Sequence, residues 1–234
     1  MAINKELTLK AVKRKSLTKQ VIERILKLLE EGQLRPGDKL PTEAELLENL
    51  NVSRPVLREA LVALDLLGVV TNRQRDGIYI NGKIGSNPFS AMLSLTADNS
   101  PAIVEARMVL ELGLVTIAAE KITNNQLKML KETIDIIAKN TDNDFGETDR
   151  EFHKIIALSA NNPVVEGMIE SLLLTHQKTD LHIKVRERDI TVQHHIAIYN
   201  ALAKRDPYEA YTEMYRHLDY VRYKVFHEWN ANKN

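Results

Sequence analysis

"NVSRPVLREALVALDLLGVVTNRQRDGIYI" (Asn51–Ile80) changes its hydrophobic period partway along. Leu57, Leu61, Leu64 and Leu67 recur at helical spacing and predict the buried stripe of one helix. Ser53 is placed to cap that helix, Pro55 suits its first turn, and Gly68 ends it. Beyond Gly68 the pattern shortens, and "VVTNRQRDGIYI" reads as two brief strands joined by a turn at Asp76-Gly77.

Upstream, Leu17, Val21, Ile25, Leu28 and Leu29 predict an amphipathic helix over 16–31, stopped by Gly32, Pro36 and Gly37. "PTEAELLENL" restarts helix, with Thr42 and Glu45 spaced as a capping box. The link from Leu50 to Ser53 is short enough to force a steep crossing of two helices. Helix, helix, tight turn, helix and hairpin make a winged helix-turn-helix. With the leucines buried, Arg54 and Arg58 point outward near the start of the third helix, where two guanidiniums fit a major groove. Arg73 and Arg75 make the wing basic.

The chain has 234 residues, 44% hydrophobic and 27% charged, which suits one large or two small globular domains. Residues 1–80 carry 14 Lys and Arg against 11 Asp and Glu. The remainder carries 18 against 21, so a net charge of zero hides a mildly basic N-terminal part. No stretch approaches a membrane span and the N-terminus resembles no signal peptide, so a cytoplasmic address with no membrane partner is expected. Cysteine is absent, so any metal must use His, Asp or Glu.

"NGKIGSN" reads as a linker, "PFSAMLSLT" as a short helix, and the rest as helices over 101–121, 124–140, 144–160, 163–185, 188–205 and 207–232. The expected class is mainly α, a winged helix-turn-helix over 10–80 followed by an all-α bundle of six or seven helices. Residues 81–99 hold the linker and short helix, and 100–234 the bundle.

The bundle raises a chemical question. In "TDREFHKIIALSA" (Thr148–Ala160), Asp149 and His153 share one helix face with Ile156 and Ala160. His195 has Val192, Tyr199 and Leu202 on its side, and His217 has Met214 and Val221, so both face inward while His194 does not. His195 and His217 are equidistant from the Asp206-Pro207 turn, and residues so placed in an antiparallel helix hairpin sit level. Three imidazoles and one carboxylate suit a divalent transition ion, zinc first, with nickel or manganese as alternatives. A satisfied core histidine is the ordinary reading of any one of them, but four such groups buried without a cation are costly.

The stretch from Leu34 to Ile80, with PGDKLPTEAEL, VSRPVLREAL and the wing glycine, resembles the DNA-binding domain of GntR-family bacterial transcription regulators. "EARMVLELGLVTIAA", "TDREFHKIIALSANNPVV" and the two histidine helices resemble the ligand-binding domain of the FadR-like branch. The resemblance implies a DNA-binding regulator that represses until a small organic acid releases it. It assigns Arg54 and Arg58 to base and phosphate contact, Gly77 to the approach of the wing to the minor groove, and Asp149, His153, His195 and His217 to the metal. Ser53 and the basic wing residues Arg73 and Arg75 join the DNA-contact candidates. The resemblance further implies a small carboxylate effector bound near Arg107, and Tyr199, one turn beyond His195, is a second candidate for that pocket. A single winged helix contacts one half-site, so a homodimer on a palindromic operator is expected. Arg107 also reads as half of an i, i+4 surface pair with Glu111. Two positions depart from the family pattern: Ala44 stands where an arginine is common, and Arg75 where the wing has its first glycine.

The alternative class is a metal-dependent hydrolase or a metal-sensing protein carrying a DNA-binding domain. No inward Asp or Glu stands out beside the four ligands as a general base, and an enzyme leaves the winged helix unexplained.

Overall fold

A computed structural model describes residues 16–82, 85–95, 99–141, 144–180 and 187–231. The expected domain start at residue 10, part of the linker and the end of the helix expected over 163–185 lie outside these residues. Among the described residues there are ten helices and two strands, divided between two compact units, Met1–Gly82 and Lys83–Asn234.

The first unit holds α1 (Leu17–Glu30), α2 (Glu43–Leu50), α3 (Arg54–Leu66), β1 (Val70–Arg73) and β2 (Gly77–Ile80). The Thr42–Glu45 capping box forms, with the Thr42 hydroxyl accepting from Glu45 N–H and the Glu45 carboxylate accepting from Thr42 N–H. Asn51 adopts the left-handed conformation (φ 49°, ψ 49°) and turns the chain sharply into α3. Ser53 occupies the N-cap position of α3, yet its hydroxyl makes no capping hydrogen bond.

Val21, Ile25, Leu46, Leu57, Ala60, Leu64, Val70 and Ile80 close the core of this unit. Two members of the expected stripes are exposed. Leu17 is the first helical residue of α1, and Leu67 lies past the last turn of α3, so neither has a neighbouring turn to pack against. The strands are antiparallel, Val70 opposite Ile80 and Arg73 opposite Gly77. The other edge of β2 is paired too, since Leu40 N–H donates to Ile78 O and Ile80 N–H to Asp38 O.

The second unit is all helical: α4 (Asn87–Ser94), α5 (Ser100–Lys121), α6 (Asn124–Lys139), α7 (Gly146–Ser159), α8 (Pro163–Asp180), α9 (Arg188–Lys204) and α10 (Pro207–Ala231). The short α4 packs on α8, where the Ser171 hydroxyl donates to Ser86 O. Long α5 is covered by α7, α8, α9 and α10. Arg205 in the left-handed region closes α9, and the Asp206 carboxylate accepts from Tyr208 and Glu209 N–H to open α10. The core gathers Val115, Ala118, Phe152, Ile156, Ile198, Leu202, Met214 and Leu218. No described helix is long and apolar enough to cross a membrane.

Candidate metal centre and nucleic-acid interface

Asp149 and His153 from α7, His195 from α9 and His217 from α10 converge inside the bundle, their ligand atoms all within 4.8 Å of one another. All four are buried, His195 completely. His195 and His217 meet across the α9–α10 hairpin with ring centroids 4.9 Å apart. His153 Nε2 lies 3.1 Å from His217 Nε2, and His195 Nε2 lies 3.3 Å from Asp149 Oδ1. These are separations that neighbouring donors on one ion adopt when each bond is about 2.0–2.1 Å. Phe152 stacks on His195, centroids 3.8 Å apart and rings nearly parallel, and fixes that imidazole from the apolar side.

The electrostatics favour the ligating forms. Burial pushes the His195 imidazolium pKa down, against the opposing pull of Asp149. Burial pushes His217 well below its ordinary value, helped by the neighbouring His195 and His153. Burial alone raises Asp149, but the close approach of His195 and the electrostatic influence of the three histidines outweigh it and hold the carboxyl well below the usual carboxylate range. Neutral imidazoles and an ionised carboxylate are the states a metal needs.

Asp149 Oδ1, both nitrogens of His195 and His217 Nδ1 have no hydrogen-bond partner among the described residues. A buried anionic site with so many unpaired donors fits a divalent cation. His194 is half-buried, its ring 5.7 Å from His217, and it stands outside the four-residue set.

Behind His153 lies a carboxylate that the sequence analysis does not place there. Glu111 Oε2 approaches His153 Nδ1 to 2.5 Å, and Arg107 Nε donates to Glu111 Oε1 at 2.8 Å. Arg107, Glu111 and His153 are 2%, 3% and 1% exposed, so the Arg107–Glu111 pair belongs to the core and not to a surface. Burial pushes Glu111 up, but Arg107 and then His153 outweigh it and hold its pKa at about 2. The expectation that no inward acid stands beside the ligands is thereby corrected. Glu111 nevertheless meets the ring nitrogen turned away from His217. The signal was present in sequence: Ile103, Arg107, Glu111, Leu114 and Ala118 fall on one face of α5. Tyr199 is half-buried and lines an open groove with Asn124, Leu127 and Lys131, which none of the four converging residues lines.

In the first unit, Arg54 and Arg58 are both exposed on the outer side of α3. Glu43 Oε1 holds the two, 3.4 Å from Arg54 Nε and 3.1 Å from Arg58 Nε, a partner that sequence reasoning missed. On the wing, the Arg73 guanidinium lies 4.1 Å from the Tyr79 ring centroid. The Tyr79 hydroxyl donates to Asp76 Oδ1 at 2.9 Å, and Lys39 Nζ lies 3.3 Å from the same oxygen. Arg75 takes the left-handed conformation at the tip (φ 63°), the one its position requires in place of glycine.

Gly77 has φ +129°, and a Cβ there would stand 2.6 Å from Lys39 Cε. Gly77→Ala should therefore cost about 1–3 kcal/mol, seen as faster amide exchange at Leu40 and Ile80. Unchanged exchange at both would show that the hairpin tolerates a side chain there.

A winged helix with outward arginines, joined to a helical domain with a buried donor cluster, defines a DNA-binding transcriptional regulator with a sensing domain. Residues 17–80 match the sequence profile described as bacterial regulatory proteins, gntR family, and residues 102–220 match the FCD domain. The chain belongs to the GntR family, in the branch with the FCD domain, a family of regulators and not of enzymes.

It is 64% identical to the uncharacterized HTH-type transcriptional regulator YcbG of Bacillus subtilis over 220 residues, covering 94% of each chain. It is 32% identical to the HTH-type transcriptional regulator LutR of B. subtilis, over 83% of this chain and 94% of LutR. It is 30% identical to the HTH-type transcriptional repressor NanR of Cronobacter sakazakii, over 98% and 92%. Among solved structures, the Streptococcus agalactiae GntR protein aligns with a TM-score of 0.62 at 27% identity, covering 88% of this chain and 98% of that one.

Proposed function

We propose that this chain is a homodimeric repressor whose hold on a palindromic operator is released by a small organic acid bound beside a divalent transition ion. The observation that carries the proposal is the buried convergence of Asp149, His153, His195 and His217, with Asp149 Oδ1 and both His195 nitrogens lacking a hydrogen-bond partner among the described residues. Zinc suits three imidazoles and a carboxylate best, with nickel and manganese behind it. When bound, the ion supplies open coordination positions for a carboxylate oxygen. Arg107 keeps its Nε on Glu111 and offers the remaining N–H groups of its guanidinium to the acid.

Arg54 and Arg58 read base edges or phosphates, with Ser53 beside them, and Arg73, Arg75 and Gly77 bring the wing to the adjacent groove. One winged helix reads one half-site, so two copies are needed for a specific operator. Such a protein works in the cytoplasm, where the DNA is. The NanR relatives, named as repressors, support the direction of control.

The test is operator binding, followed by fluorescence anisotropy, during titration with small carboxylates in zinc-loaded protein. The acid that works should weaken operator binding, and calorimetry on protein kept saturated with zinc should show Arg107→Ala weakening that acid. Release by zinc alone, with no acid able to shift it, would make the protein a metal sensor and overturn the proposal. Unchanged acid affinity in Arg107→Ala would remove that residue from the site.

A further inference from the structure

We propose that Glu111 is the positioning residue of the metal centre. It holds His153 in the Nδ1–H tautomer so that Nε2 is the ligating atom, and Arg107 locks Glu111 in place. This rests on the metal reading above.

A carboxylate oxygen and a bare ring nitrogen cannot sit 2.5 Å apart, because two lone pairs would repel. The two atoms are not aligned as a hydrogen bond, but so close an approach of two polar atoms requires that one of them carry the proton. That proton belongs on His153 Nδ1, since Arg107 already donates to the other oxygen of Glu111 and stabilises it as an anion. The consequence falls on the opposite nitrogen. His153 Nε2 then carries a lone pair, and it is the atom 3.1 Å from His217 Nε2, facing the other donors. An imidazole whose far N–H is held by a carboxylate is oriented and more basic, and removing such a partner weakens metal affinity about 10–100-fold. All three residues are buried away from bulk water. A purely structural ion pair between Arg107 and Glu111 would not set the tautomer of a histidine on another helix.

The sharp variant is Glu111→Gln. Its one amide oxygen faces two donors, Arg107 and His153, and the arginine charge wins it. The amide NH2 then points at His153 and favours the wrong tautomer, with the proton on Nε2. Long-range proton–nitrogen NMR on the metal-free full-length protein should show Nδ1–H at His153 in wild type and a gain of Nε2–H in Glu111→Gln. Competition with a chromophoric zinc chelator should show affinity reduced by about 10–100-fold in that variant.

Adding Arg107→Met to Glu111→Gln removes the competing donor, so both the tautomer and part of the affinity should return. That rescue also guards against general damage from the single change. Wild-type His153 found as Nε2–H, or no rescue in the double variant, would overturn the assignment. If wild type binds zinc, His217→Ala does not, and Glu111→Gln binds as wild type, only the role of Glu111 falls. If wild type and His217→Ala both fail to bind zinc, or bind it equally well, the metal reading itself falls.

Discussion

Stripping metal with a chelator should lower the melting temperature of the full-length protein by on the order of 10 °C, and restoring zinc should reverse it. A metal bound only by the native state stabilises by mass action, about 2.7 kcal/mol at 100-fold excess over the dissociation constant and about 4.1 at 1,000-fold. Each kcal/mol is worth about 2–4 °C in a domain of this size. The ligands come from α7, α9 and α10, so an ion among them ties three helices together. His195→Ala or His217→Ala should erase most of the response. His194→Ala should leave it nearly intact, although His194 is adjacent in sequence to His195 and its ring is 5.7 Å from that of His217. The contrast between neighbouring histidines is the discriminating measurement. A full zinc response in His195→Ala, or its loss in His194→Ala, would show the wrong ligand set.

The second large effect is on DNA. Arg54→Ala and Arg58→Ala should each cost about 1–3 kcal/mol per half-site when the lost contact is to a base edge, and a symmetric dimer feels the loss twice. Glu43 does not protect the arginines from DNA. The pairs are exposed, and exposed ion pairs are worth about 0–1 kcal/mol, less than a good base contact. Glu43→Gln should accordingly tighten binding, most clearly at low salt, by removing both a competitor and a negative charge. Anisotropy against specific and scrambled duplexes reads both. Operator affinity unchanged in both arginine variants would move the reading surface elsewhere.

Local chemistry accounts for most of what was legible beforehand. The Thr42–Glu45 capping box, the α3 stripe and the Asp206-Pro207 turn depend on residues close in sequence, and periodicity finds them. The meeting of His195 and His217 was legible for the same reason, because hairpin register follows from counting out from the turn. Stripe ends were less secure, since Leu17 and Leu67 sit where the helix stops offering neighbours.

The shared face of Arg107 and Glu111 with Ile103, Leu114 and Ala118 was readable by periodicity, but the burial of two charges on that face was not. A charged i, i+4 pair looks solvent-facing until α5 is seen wrapped by four other helices, and coverage of that kind is a tertiary fact. Glu43 was missed likewise, because its link to Arg58 spans 15 residues and depends on the angle set by left-handed Asn51.

The pairing of β2 with residues 38–40 also bears on behaviour at high concentration. A two-stranded hairpin alone would present two open edges on which another chain could template a strand. Here one edge is occupied by the protein's own backbone, through Leu40 N–H to Ile78 O and Ile80 N–H to Asp38 O. The edge left over belongs to β1, only four residues long, and three of them are Thr71, Asn72 and Arg73. Short, polar, positively charged edges resist strand addition. The wing can thus remain exposed without becoming a seed for aggregation.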